Sequence, residues 1–240
     1  MRILSALFLF LLFLVSACRF MGGERVAGNG VLKAQDRAIG SFKGVSVGGS
    51  MDVVLIPGSV HSVRVEADEN LLQHIITELD GDVLQIGPAD NMNLDPDAGM
   101  KVYVTAPIFN VVEVDGSGNI TSQGRIRADE KLETEIAGSG DIRLELDAPE
   151  VQMEITGSGT IHLSGNTRRF RSEINGSGDL RAFDLLSEDT EVEISGSGDA
   201  QVFASKQLGI QINGSGNVDY KGNPPSINQN VAGAGSVRKM

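Results

Sequence analysis

From Ser41 onward the chain alternates apolar and polar residues at period two, the mark of strands with one face buried. Phe42, Val45 and Val47 lead into Gly48-Gly49-Ser50, and Met51-Asp52-Val53-Val54-Leu55-Ile56 runs to a Pro57-Gly58 turn. Val63, Val65 and Ala67 alternate with Arg64 and Glu66 in a second strand. Further strands are expected over 82–86 and 100–105, with a polar loop over 90–97 between them. One stretch has a different period. Leu71, Leu72, Ile75, Ile76 and Leu79 fall at helical spacing, Asp68 or Asn70 can cap them, and Asp80-Gly81 can stop them. This predicts one short amphipathic helix, placed as a cap over the open end of a sheet stack.

From Pro107 the alternation becomes a repeat built on seven tripeptides: Gly116-Ser117-Gly118, Gly138-Ser139-Gly140, Gly157-Ser158-Gly159, Gly176-Ser177-Gly178, Gly196-Ser197-Gly198, Gly214-Ser215-Gly216 and Gly233-Ala234-Gly235. The first glycines follow one another at steps of 22, 19, 19, 20, 18 and 19 residues. Two positions before each tripeptide stands Val114, Ile136, Ile155, Ile174, Ile194, Ile212 or Val231, and two positions after it Ile120, Ile142, Ile161, Leu180, Ala200, Val218 or Val237. Both flanks are apolar throughout, so each tripeptide is a corner between two strands whose alternate residues face a shared interior.

A fixed period near 20 residues means that each unit must stack on its neighbours to bury its apolar face. Glycine fits such a corner because neighbouring coils lie ~4.8 Å apart and the backbone must turn tightly. The small serine fits between coils and offers a hydroxyl to backbone groups left open there. A coil of this length has room for three short strands. The fold class expected is therefore all-β: a parallel β-solenoid, or β-helix, of ~19-residue coils with Gly-Ser-Gly corners and one short helix near the N-terminus. An antiparallel sandwich or a meander of hairpins with three-residue loops is the alternative.

Composition then narrows the function. Glycine at 30 residues, no tryptophan, 2 tyrosines and 9 phenylalanines argue against an ordinary α/β enzyme core. The formal charge of −12 excludes nucleic acid as a partner, since phosphate binding needs a basic stripe. The one cysteine, Cys18, ends a run of one positive charge, a short apolar stretch and small residues, the layout of a secretory signal. Leu14-Val15-Ser16-Ala17-Cys18 resembles the lipobox of bacterial lipoproteins. That resemblance implies a signal peptide over 1–17 and acylation of Cys18, which anchors the chain in a membrane. Arg19, where aspartate would signal inner-membrane retention, implies the outer membrane, with its periplasmic or surface face open. Residues 18–40 are polar and glycine-containing, without an apolar period, and are read as a flexible tether ahead of a single domain over 41–240. That domain divides into N-terminal strands and cap over 41–106 and repeats over 107–240.

The opening Phe42-Lys43-Gly44-Val45-Ser46-Val47-Gly48-Gly49-Ser50-Met51-Asp52-Val53, the segment Glu69-Asn70-Leu71-Leu72 and the recurrent Gly-Ser-Gly corners resemble one bacterial family, the GIN domain or auto-transporter adhesin head. The resemblance spans Ser41 to Val237 and implies an extracytoplasmic β-helical domain with an adhesin-like role and no catalytic residues.

Candidate chemistry in the residues is sparse. His61, His74 and His162 are far apart and stand at no metal-ligand spacing. Seven near-identical serine corners cannot all be nucleophiles, and none has the Gly-x-Ser-x-Gly spacing. Asn119, Asp141, Thr160, Asp179, Asp199, Asn217 and Ser236 form an oxygen-bearing column, read as turn capping rather than as calcium sites. Glu133, Glu135, Glu145, Glu154, Glu173, Glu191 and Glu193 fall on outward positions and read as a solvated sheet face. The expectation is a non-enzymatic envelope lipoprotein without cofactor or metal, presenting a β-helical surface to a glycan or to an envelope or host ligand. A carbohydrate-binding or polysaccharide-degrading β-helix is the alternative. The unpaired last coil leaves end-to-end homo-oligomerisation open.

Overall fold

Two apolar columns flanking the seven corners demand a stack in which like residues lie on like, and the chain is wound that way. The structure, a computed structural model, describes residues 23–240, so Cys18 and the expected signal segment 1–17 lie outside the described residues. Each coil consists of an approach strand that ends on the first corner glycine and an exit strand that starts after the third. Approach strands Gly44–Gly49, Val111–Gly116, Lys131–Gly138, Asp189–Gly196, Gln207–Gly214 and Ser226–Gly233 stack in parallel with the second halves of Asp141–Gly157 and Thr160–Gly176. Their register puts every first corner glycine in one row, Gly116 on Gly49, Gly138 on Gly116 and so on to Gly233 on Gly214. The exit strands hold an equivalent row from Asp52 through Asn119 and Asp141 to Ser236. Parallel register throughout the repeat rules out the antiparallel meander. Coils contain two strands rather than three, and in Asp141–Gly157 and Thr160–Gly176 exit and approach strands run on as single 17-residue strands.

The interior is filled by the predicted columns. Ile136, Ile155, Ile174, Ile194 and Ile212 are completely buried one above another, as are Ile120, Ile142 and Ile161 on the exit side. Burying a side chain of this size contributes about 1.5–3 kcal/mol. Thr134, Ser172 and Thr190 interrupt the apolar filling. Among the described residues the Thr134 hydroxyl has no hydrogen-bond partner.

The N-terminal end corrects two expectations. First, the predicted helix over 70–79 is absent. Only a 3-10 turn, Leu72–His74, forms there, and Ile75–Asp80 is a strand antiparallel to Val83–Pro88. The β-branched run Ile75-Ile76-Thr77 favours a strand. Asp80-Gly81 is not a helix stop, because Asp80 ends the strand opposite Val83 and Gly81-Asp82, with Gly81 at φ 58°, makes the hairpin turn. Second, residues 18–40 are not a tether throughout. Glu24–Ala27 pairs in parallel with Met92–Asp95, and Leu32–Arg37 pairs antiparallel with Ser62–Asp68. Leu32–Arg37 lies on the outside with almost every side chain exposed, so backbone pairing holds it and no apolar period marks it. Ser62–Asp68 is itself antiparallel to Lys101–Ala106, and Phe42, Leu71 and Phe109 fill the end beneath these strands.

Candidate binding surface

The corner residues are where the sequence reading placed its repeated motif, and the structure gives each of them a mechanical role. First-position glycines from Gly116 to Gly233 have φ between 126° and 146°, which an L side chain rarely adopts. A Cβ on Gly116 would also stand 2.6 Å from the Gly49 carbonyl oxygen of the coil below. Third-position glycines have ordinary backbone angles but equally little room, since a Cβ on Gly118 would stand 2.7 Å from the Met51 carbonyl oxygen. Gly138, Gly140, Gly157, Gly159, Gly176, Gly178, Gly196, Gly198, Gly214, Gly216, Gly233 and Gly235 meet the same obstruction from the preceding corner.

Close approach lets the hydrogen-bond ladder run through the bend. The amides of Ser117, Ser139, Ser158, Ser197 and Ser215 donate to the first-glycine carbonyl one coil back at 2.8 Å, those of Ser177 and Ala234 at 2.9 Å. Here the serine acts through its backbone. Its hydroxyl, expected to satisfy open backbone groups, instead points outward, and among the described residues no corner serine hydroxyl has a protein partner. One corner escaped the sequence reading. Gly49-Ser50-Met51 begins the row, with Gly49 at φ 80°. The available signal was the Gly-Ser pair followed by the same alternation. Met51 replaces the third glycine there because no Gly-Ser-Gly corner lies beneath it.

Outside the corners, the outward residues of successive coils form straight columns. The oxygen-bearing column bonds along itself: Asn119 Nδ2 donates to Asp52 Oδ1 at 2.9 Å, Asn217 N and Nδ2 both donate to Asp199 Oδ1 at 2.9 Å, and Ser236 Oγ donates to Asn217 Oδ1 at 2.7 Å. Among the described residues no three His, Cys, Asp or Glu side chains cluster as metal ligands. The glutamate column Glu113, Glu135, Glu154, Glu173 and Glu193 is in coil-to-coil register. Burial, with the charges of Glu154, Glu113 and Asp115, pushes the Glu135 carboxyl above its ordinary pKa.

Two outward grooves interrupt these faces. On the exit side a hollow of about 340 Å³ is lined by Asp52, Lys101, Asn119, Asp141, Arg143 and His162. It continues through Arg143 and His162 into one of about 260 Å³ beside Ser164, Arg181 and Phe183. Burial and then the cations of Arg143 and Arg181 hold the His162 imidazole below its usual pKa. His61 has a different role, with Nε2 3.0 Å from the Phe42 carbonyl and its ring edge-on to Phe42. On the approach side the hollows are larger, about 470 Å³ and about 350 Å³, and meet at Glu191, Gly209 and Asn228. The sequence reading had Glu191 on this face but passed over Gly209, a single glycine outside the repeated motif.

Comparison with known proteins gives the same architecture. No curated protein matches the chain. A crystal structure of a putative lipid binding protein from Parabacteroides distasonis superposes with TM-score 0.77 at 27% identity, over 90% of this chain and 100% of that one. A putative adhesin from Bacteroides fragilis superposes with TM-score 0.85 at 18% identity, and another from Parabacteroides distasonis with TM-score 0.73 at 23%, each over 90% of this chain and all of its own. These two show the shared fold. Residues 41–224 match the family described as putative auto-transporter adhesin, head GIN domain, and with that span of paired corners and columns the chain belongs to this family.

Proposed function

We propose that the protein is a non-enzymatic, adhesin-like module that presents its β-helical faces as a binding surface at the cell envelope. The observation that carries this reading is the register of the outward columns. Every coil repeats the same side-chain positions, so a row of small and polar groups is displayed on a rigid support and opens into grooves on both faces. The family described as putative auto-transporter adhesin, head GIN domain, supports it, and two proteins described as putative adhesins share the fold. Acylation of Cys18 would hold the module on the outer membrane, since three acyl chains exceed what stable anchoring needs. Protease shaving of intact cells tests the placement. If the domain is surface-displayed, it is cleaved on whole cells and its loss lowers attachment. A domain that stays protected until the outer membrane is breached, with attachment unchanged, would refute outward adhesion.

A further inference from the structure

The approach face contains a glycine that the fold does not need. The middle outward column there runs Glu133, Gln152, Arg171, Glu191, Gly209, Asn228 in strict register. Gly44 belongs to the same column lower in the stack, and there glycine is required, because a Cβ would stand 2.9 Å from Val83 Cγ2 and 3.0 Å from Val111 Cβ. At Gly209 the backbone is not left-handed, and a Cβ would meet nothing closer than Glu191 Cγ at 3.8 Å. Glycine inside a strand weakens it, and where no bend or bulge explains it, it commonly marks a place where a ligand approaches the backbone. Gly209 pairs without a register shift on both sides.

The missing side chain joins the two hollows of about 470 Å³ and about 350 Å³ into one groove along Gln207–Gly214. The larger alone is within the ~300–1,000 Å³ usual for ligand sites. Its lining defines the ligand chemistry. Both rim cations are neutralised within the protein, Arg169 by Glu150 and Arg171 by Glu191 at 3.1 Å. With those pairs set aside, Asp189 and Glu193 leave the groove acidic, which repels an anion. The side-chain amides of Gln207, Asn228 and Asn230 stand exposed without a hydrogen bond among the described residues, each offering both donors and an acceptor. A ligand that matches carboxylates and free amides together must both donate and accept at close spacing, as hydroxyl groups do. The bare backbone at Gly209 gives a flat floor for the C–H face of a ring.

We infer that the Gly209 groove binds a neutral oligosaccharide, its hydroxyls bridging Glu191, Asn228 and the flanking amides. This rests on the binding-surface reading and gives it a ligand class. The test is calorimetric titration of the full chain in detergent with cello-, malto-, xylo- and manno-hexaose, and with oligogalacturonate as the anionic control. Gly209→Thr fills the groove with a strand-favouring residue and Asn228→Ala removes one amide, while Ser139→Ala, a corner hydroxyl in another column, serves as reference. Expected is binding of at least one neutral hexaose, weakened tenfold or more by Gly209→Thr and severalfold by Asn228→Ala, unchanged by Ser139→Ala, with the thermal transition of Gly209→Thr at or above that of the parent. Asn228→Ala still reports if the threonine variant fails to fold. Binding of no neutral hexaose, or of the anionic oligomer alone, would overturn the inference. Equal hexaose binding by parent and both groove variants would also overturn this site while leaving a binding module intact elsewhere on the surface.

Discussion

At the N-terminal end of the stack, Ile75–Asp80 and Ser62–Asp68 run antiparallel to the strands of the outermost coil, with Leu32–Arg37 antiparallel again outside Ser62–Asp68. At the C-terminal end of the described residues, Ser226–Gly233 and Ser236–Lys239 continue the parallel stack, and all eight residues of Ser226–Gly233 are exposed, Ile227 at 45% and Val231 at 38%. A parallel coil always presents another coil-shaped edge to the next one. An antiparallel strand pairs with that edge without reproducing the apolar interior, and here the outer strands carry exposed Lys33, Asp36, Glu78 and Asp80, which discourage further pairing. Among the described residues, the same core columns are thus sealed at one end and exposed at the other.

The largest expected effect sharpens that contrast through one substitution made at two heights. Gly176→Val, in mid-stack, combines a forbidden φ with overlap against the Gly157 carbonyl and is expected to destabilise by on the order of 3–5 kcal/mol in equilibrium unfolding. Gly233→Val meets the same overlap against Gly214, but only the last coil need detach, so its loss is expected to stay near ~1 kcal/mol and to appear as local fraying. Equal losses at the two positions would break the comparison.

The sealed end depends on Asp68, which is fully buried. Its carboxylate accepts from the amides of Gly30 at 2.6 Å, Asp97 at 3.0 Å and Ala98 at 3.1 Å, tying together the segments before and after the capping strands. Burial works against the charged form, yet these amides, Ala98 first, hold the carboxyl below its ordinary pKa. A depressed folded-state pKa means that the stabilisation is present above the unfolded carboxyl pKa and is lost as pH falls through the folded one. Asp68→Asn is therefore expected to destabilise at neutral pH, by less than Gly176→Val, and to flatten the acid limb of a stability-versus-pH curve. A variant curve parallel to that of the parent would contradict this role.

Two smaller effects probe the stack between the ends. Thr134→Val removes a buried hydroxyl without a partner at nearly constant shape, and denaturant unfolding should show a gain of about 1 kcal/mol. Glu135→Gln relieves like-charge contact in the glutamate column and should gain a few tenths of a kcal/mol at neutral pH. Because the Glu135 pKa is raised on folding, that gain should shrink as pH is lowered through it.

What the sequence made legible follows the same division. Each repeated corner reports itself through its glycines and through Ile or Val at fixed offsets, so the parallel stack could be read directly. The sealed end occurs once and has no period. Leu32–Arg37 is exposed and leaves no apolar alternation, and Leu71 to Leu79 carries helical spacing that the hairpin turning at Gly81-Asp82 overrides. Met51 hid the first corner, because only a corner stacked on another needs its third glycine. The groove at Gly209 was illegible for the opposite reason. A glycine such as Gly209, which needs neither a positive φ nor a close approach, cannot be told from the corner glycines until the space around it is known.

Residue-resolved hydrogen exchange at the corner amides is the most direct measurement of the stack and its two unlike ends. Ser139, Ser158, Ser177 and Ser197 donate to the coil below and should exchange as slowly as amides inside the strands, with protection falling at Ser215 and lost at Ala234 on the uncovered coil. Serine amides that exchange like those of free turns, or protection as strong at Ala234 as at Ser158, would contradict a ladder that runs through every corner and ends unsealed.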